Sequence, residues 1–263
     1  MQPDQSLDIK CLMYHGIIAK GVTLPPEREV GAHLYDVSLE NFTEHIDWLL
    51  ENRYSIVKLE NTPGAPMSGN KVILTFDDGV MNNFMNAFGV LRVRKLPAYF
   101  FIIVKRVGKE GYMGWEEIKK LHNGGMMIGS HGLTHEVLTN LNETQVEEEL
   151  SVSKKTLERN LNIPIESLSI PRGFCNKTVI DIARQVGYKT IFVSDRPANI
   201  PASEVISRIP VKGNWTLKRF KQAIAGETPF SEVVGSGLKK AAKTILRESG
   251  YNGLRSLIIK MTQ

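Results

Sequence analysis

The chain has 263 residues, 42% of them hydrophobic and 23% charged, with a formal net charge of +5 at neutral pH. This composition is that of neither a disordered nor a membrane-spanning chain, and the length suits one domain, residues 1–263, around a continuous core. The N-terminus has no basic stretch followed by an apolar one, and no run of about 20 apolar residues is available to span a bilayer. Two cysteines, Cys11 and Cys175, are too few for a disulfide scaffold and lack zinc-knuckle spacing. A cytoplasmic protein with reduced thiols is therefore expected.

Short apolar runs alternate with helical patterns along the chain, which is the α/β signature. The first run, Ile9 to Tyr14, reads as a strand and is followed by a helix from Leu39 to Asn52. Ser38 caps that helix, and Phe42, Ile46 and Leu49 share one of its faces. Further strands are expected at Tyr54 to Lys58, Val72 to Phe76, Ala98 to Val104, Met126 to Ser130, Leu168 to Pro171, Lys189 to Val193 and Val205 to Val211. Most are too continuously apolar for a sheet with one wet face, so they predict a parallel sheet covered by helices. Those helices run from Trp115 to His122, from Asn142 or Thr144 to Asn160, from Asn176 to Val186 and from Thr216 to Ala225. Gly124-Gly125, Gly187 and Gly226 suit their C-terminal caps.

Two motifs carry chemistry. Thr75-Phe76-Asp77-Asp78-Gly79 follows an apolar strand, and adjacent carboxylates at a buried strand end repel one another unless a cation or a function compensates. Active sites of parallel α/β folds lie at that end. The plain alternative is a turn that caps the next helix. Ser130-His131-Gly132-Leu133-Thr134-His135 also follows an apolar run, and two His at i and i+4 on a helical turn present both imidazoles to one metal. Taken together, His131, His135 and one carboxylate form a three-ligand set for zinc, leaving the other carboxylate to take a proton from water attacking an acyl carbon. Cobalt and nickel accept the same donors, whereas magnesium prefers more oxygen ligands.

With these motifs the chain resembles the polysaccharide deacetylases of the NodB-homology class, carbohydrate esterase family 4. Thr75 to Gly79 and Ser130 to His135 match the family's first two motifs. Leu12-Met13-Tyr14-His15, the Trp115 helix and Glu149 to Glu158 extend the likeness. The resemblance implies a distorted (β/α) barrel of seven rather than eight repeats. It also implies that Asp77 is the catalytic base and that Asp78, His131 and His135 hold the metal.

The chain departs from the family pattern in two places. Ser169-Ile170-Pro171-Arg172-Gly173 stands where the family carries an Arg-Pro-Pro-Tyr-Gly-like segment. Arg172 thus occupies the position whose backbone N–H serves the oxyanion, and the usual arginine is missing near Ser169. Arg172, or Arg208 in Ile206-Ser207-Arg208-Ile209-Pro210, is left to orient Asp77; either also reads as a surface charge. The late Leu-x-His segment that supplies the family's general acid is absent, since all six histidines lie at or before His135. His15, at the end of the first strand, faces the same barrel mouth and is the substitute acid, or else a structural residue of the rim.

From Lys212 onward ten Lys and Arg face three acids. The segment at about 230–263, with Leu238, Ala242, Ile245 and Leu246 on one helical face, suits either a helix packed on the domain or an anionic membrane surface. A pI near 9.1 without a basic-aromatic groove does not make a nucleic-acid binder. The expected activity is metal-dependent N-deacetylation of a sugar in a glycan or in a lipid- or nucleotide-linked glycan precursor. The alternative is a noncatalytic glycan-binding protein that keeps the metal site.

Overall fold

A computed structural model describes residues 9–21, 31–59, 70–194, 196–197 and 199–227; the expected basic segment at 230–263 lies outside these residues. The strands in chain order are β1 Ile9–Tyr14, β2 Ile17–Ile18, β3 Val37–Ser38, β4 Ser55–Ile56, β5 Lys71–Phe76, β6 Tyr99–Ile102, β7 Met127–Ser130, β8 Ser167–Ser169, β9 Thr190–Val193, β10 Ile206–Ser207 and β11 Ile209–Pro210. The helices are α1 Leu39–Glu51, α2 Phe88–Val93, α3 Trp115–Asn123, α4 Glu143–Leu161, α5 Lys177–Val186 and α6 Leu217–Ile224. Ser38, Asn142, Asn176 and Thr216 each accept a backbone N–H three residues on, so four helices begin at polar caps. Among the described residues no helix is long and apolar enough to cross a membrane.

Every strand pairing is parallel, in the order β10-β9-β8-β7-β6-β5-β1-β11, with β4 beside the start of β5. Because β10 and β11 are separated only by Arg208, one short segment pairs with β9 on one side and β1 on the other. Arg208 N–H bonds Val193 O at 3.0 Å, and Val211 N–H bonds Met13 O at 2.9 Å. The sheet thereby curls into a nearly closed, distorted barrel of seven strand positions with helices outside. β4 is an eighth short strand off that path, and β2 with β3 forms a separate pair not anticipated from the sequence.

Alternation of side chains along the strands divides the core in two. Leu12, Val72, Leu74, Phe76, Phe100 and Ile128 pack outward against helical residues such as Phe42, Ile46 and Leu121. Cys11, Ile73, Tyr99, Phe101 and Phe192 fill the barrel interior. On β5 the inward positions are Ile73 and Thr75, and the same period carries on to Asp77. The sequence of this one strand thus aims a carboxylate at the barrel axis, at the strand's carboxyl end.

Candidate metal centre and catalytic carboxylate

Asp77 is only 2% exposed, so its charge must be met by protein groups. Arg208 meets it with two parallel hydrogen bonds, Nη1 to Oδ1 at 2.7 Å and Nη2 to Oδ2 at 2.8 Å. The same guanidinium donates to Ser169 Oγ at 2.8 Å and Thr75 Oγ1 at 3.2 Å, and it lies over the Phe101 ring. Ser169 Oγ in turn donates to Asp77 Oδ2 at 3.3 Å. Burial alone raises the Asp77 pKa, but Arg208, with help from His131 and His15, overcomes it and holds the carboxyl well below the usual carboxylate range.

The chain then reverses. Asp78 and Gly79 both take left-handed backbone, φ 72, so that Asp78 also faces the barrel mouth. His131 Nε2 lies 3.5 Å and His135 Nε2 3.6 Å from Asp78 Oδ1, and the three ligand atoms all lie within 4.8 Å of one another. Two ligands each about 2.0–2.1 Å from a tetrahedral ion stand about 3.4 Å apart. The donor set therefore fits one zinc-sized cation. Asp78 Oδ1 is buried without a hydrogen-bond partner among the described residues, as an atom reserved for a cation would be. His131 Nδ1 lies 2.8 Å from Ser169 O, a carbonyl that only accepts, so Nδ1 carries the proton and Nε2 keeps its lone pair for the metal.

The histidine pair does not lie on a helical turn, as the i, i+4 spacing predicts. Gly132 (φ 77) and His135 (φ 75) are left-handed, which breaks the helix and folds residues 131–135 into a loop. The two imidazoles converge because the loop doubles back, with ring centroids 4.8 Å apart.

Burial lowers the pKa of His131 to about 4 against the partly opposing pull of Asp77 and Asp78, so at physiological pH it is neutral, the form able to ligate a cation. His45, buried between the Phe220 ring at 3.9 Å and the Tyr14 hydroxyl, is likewise lowered by burial to about 4. Both values lie below the 6.5 of an unperturbed imidazole. Between about pH 6.5 and 4 the unfolded chain thus binds more protons than the folded one, and stability rises with pH. With chelator present, Tm is expected to hold above pH 7 and fall as the pH drops through this window. Thermal melts across it check this, and a flat profile would contradict it.

Of the two arginines suggested for Asp77, the one on it is Arg208; Arg172 is exposed, in a short turn over Pro171–Gly173 where its own backbone is left-handed at φ 55. His15 lies beyond β1 with its ring 4.9 Å from that of Tyr35, and its buried Nδ1 has no hydrogen-bond partner among the described residues. Sequence reasoning assigned no part to Thr75, to the Ser169 hydroxyl or to Glu149. A buried polar residue at an inward strand position was the available signal for the first two.

A parallel barrel whose mouth carries a buried, ionised carboxylate beside an Asp-His-His donor set defines the class: an α/β barrel with a candidate metal centre next to that carboxylate. Residues 64–191 match the sequence model of the polysaccharide deacetylase family. YxkH of Bacillus subtilis is 27% identical over 194 residues, 72% of this chain and 65% of that protein. The poly-beta-1,6-N-acetyl-D-glucosamine N-deacetylase of Staphylococcus aureus is 25% identical over 189 residues, 64% of each. The chain thus spans less than two thirds of the length of these curated relatives. The crystal structure of a Bacillus cereus polysaccharide deacetylase superposes with a TM-score of 0.68 at 27% identity, over 82% of this chain and 68% of that one.

Proposed function

We propose that the protein hydrolyses the N-acetyl amide of an amino sugar within a polysaccharide or its precursor. The observation that carries this reading is Asp77: an ionised base, gripped by Arg208, whose Oδ2 lies 3.8 Å from His131 Nε2 beside the ligand triad. A glycan-binding protein needs no such base. The Staphylococcus aureus relative, named for N-deacetylation of poly-N-acetylglucosamine, supports the substrate class.

Asp78, His131 and His135 would hold a divalent metal, with zinc the best fit to two imidazoles and a carboxylate, and cobalt and nickel also compatible. When bound, that ion supplies Lewis-acid polarisation of the acyl carbonyl and lowers the pKa of water beside it. Asp77 takes the proton of the attacking water, and Arg208 keeps it unprotonated to do so. The backbone N–H of Arg172 donates to the developing oxyanion, and His15 delivers a proton to the departing amine. The finer reading is a lipid- or nucleotide-linked precursor of a surface polysaccharide, handled in the cytoplasm with residues 230–263 against an anionic membrane. Flotation with anionic but not neutral vesicles is the expected result for that segment.

Acetate release from N-acetylglucosamine oligomers tests the central claim. Asp77→Asn is expected to lose about 10²–10⁴-fold in kcat, and equal release by both proteins would end the mechanism. His15→Ala, with metal still bound, separately reports on the acid.

A further inference from the structure

The loop that presents both histidines is held from outside. The backbone N–H groups of residues 131 to 134 can be accounted for one by one. His131 N–H bonds Ile102 O at 2.8 Å, and Gly132 N–H bonds Ser130 Oγ at 3.2 Å. The next two, Leu133 N–H and Thr134 N–H, both end on a single atom, Glu149 Oε2, at 3.1 and 3.0 Å. Thr134 Oγ1 donates to the other oxygen, Oε1, at 2.6 Å. The carbonyls of Gly132 and Leu133 are taken by Val104 N–H and Lys105 N–H, beyond the end of β6.

Glu149 is 8% exposed and projects from α4 on the same face as Val146, Leu150 and Leu157. One turn further, Ser153 accepts from Ser130 Oγ at 2.9 Å while donating to Leu150 O. Residues four apart on one helix therefore grip both ends of the ligand loop, Ser130 ahead of His131 and Thr134 ahead of His135. The loop needs this support because His135 is a non-glycine residue held at φ 75, a left-handed conformation that persists only where its surroundings enforce it.

We infer that Glu149 is a positioning residue for the metal centre: its carboxylate fixes the left-handed loop in which His131 and His135 converge, and so sets metal affinity without touching the metal. This rests on the ligand assignment proposed above. The role requires an acceptor-only group facing three donors. Glu149→Gln keeps the shape but replaces one acceptor oxygen by an NH2 group that faces a donor.

The test is zinc affinity, measured by competition with a chromophoric chelator, alongside the melting temperature of the metal-free protein. Wild type is expected to bind one zinc and His135→Ala to lose it. Glu149→Gln is expected to bind zinc at least ~10-fold more weakly, the range seen when groups that orient ligands are changed. Leu157→Ala leaves a cavity on the same helix, two turns from Glu149, and should lower the melting temperature while retaining wild-type zinc affinity. Thr134→Val removes one of the three donors, and a smaller loss of affinity there carries the inference if Glu149→Gln does not fold. Wild-type zinc affinity in a folded Glu149→Gln, or in Thr134→Val where the former does not fold, overturns the inference. So does an equal loss in Leu157→Ala. A wild-type protein that binds no zinc would instead overturn the ligand assignment, and this role with it.

Discussion

Arg208→Met is expected to abolish acetate release and to lower Tm sharply, because it leaves Asp77 buried without its counter-charge. Removing one partner of a buried, hydrogen-bonded pair costs about 3–5 kcal/mol, a large share of the roughly 5–15 kcal/mol that holds a domain together. The site is unusually sensitive because the guanidinium also bonds Thr75 and Ser169, and because Arg208 is the residue at which the closing segment passes from β9 to β1. The ion pair therefore joins base and barrel seam. Arg208→Lys separates the two roles: a point charge remains, but the fork that matches both carboxylate oxygens does not. That variant should fold, and its Asp77 pKa should rise. Since Asp77 acts only when ionised, the acid limb of kcat/KM should then move toward neutral pH. An unchanged acid limb with unchanged melting would remove Arg208 from the mechanism.

Loss of the metal ligands is the second large effect. Chelation is expected to stop acetate release and zinc to restore it, while Asp78→Ala and His135→Ala should not recover at the same zinc concentration. Changes to groups that merely orient ligands cost about 10–100-fold in affinity, so removal of a ligand should cost at least the upper end of that range. Asp78→Ala is informative in a second way. Asp78 Oδ1 is a buried acceptor with no hydrogen-bond partner among the described residues, and its left-handed backbone is strained. If its purpose is the cation, the metal-free Asp78→Ala protein should lose little stability and the metal should no longer raise its Tm. Metal-dependent stabilisation that survives in both variants would place the ion elsewhere.

The local signals were the legible ones. β1 has the bounds read from its apolar run, Ser38, Asn176 and Thr216 cap the helices they were expected to open, and of Asn142 and Thr144 it is Asn142 that caps α4. Caps and strand periods depend on a few consecutive residues, and these are present in the linear chain. The carboxylate pair and the histidine pair were legible for the same reason. The histidine loop departs from the helical turn its spacing predicts, because spacing alone cannot distinguish such a turn from a loop bent by two left-handed residues.

Local patterns along the chain thus suffice for the alternation of strands and helices and for the donor atoms at two strand ends. Packing of the whole barrel is what selects Arg208 rather than Arg172 to grip Asp77, across a separation of 131 residues. The same packing makes Ser169, standing near where the family arginine is missing, bridge Arg208 and Asp77, and sets Glu149 on α4 against the histidine loop. Each of these is a pairing between distant segments, set by how the barrel closes and which buried donors must find acceptors. No local pattern encodes such a pairing, because the energy that selects it appears only when the segments are packed together.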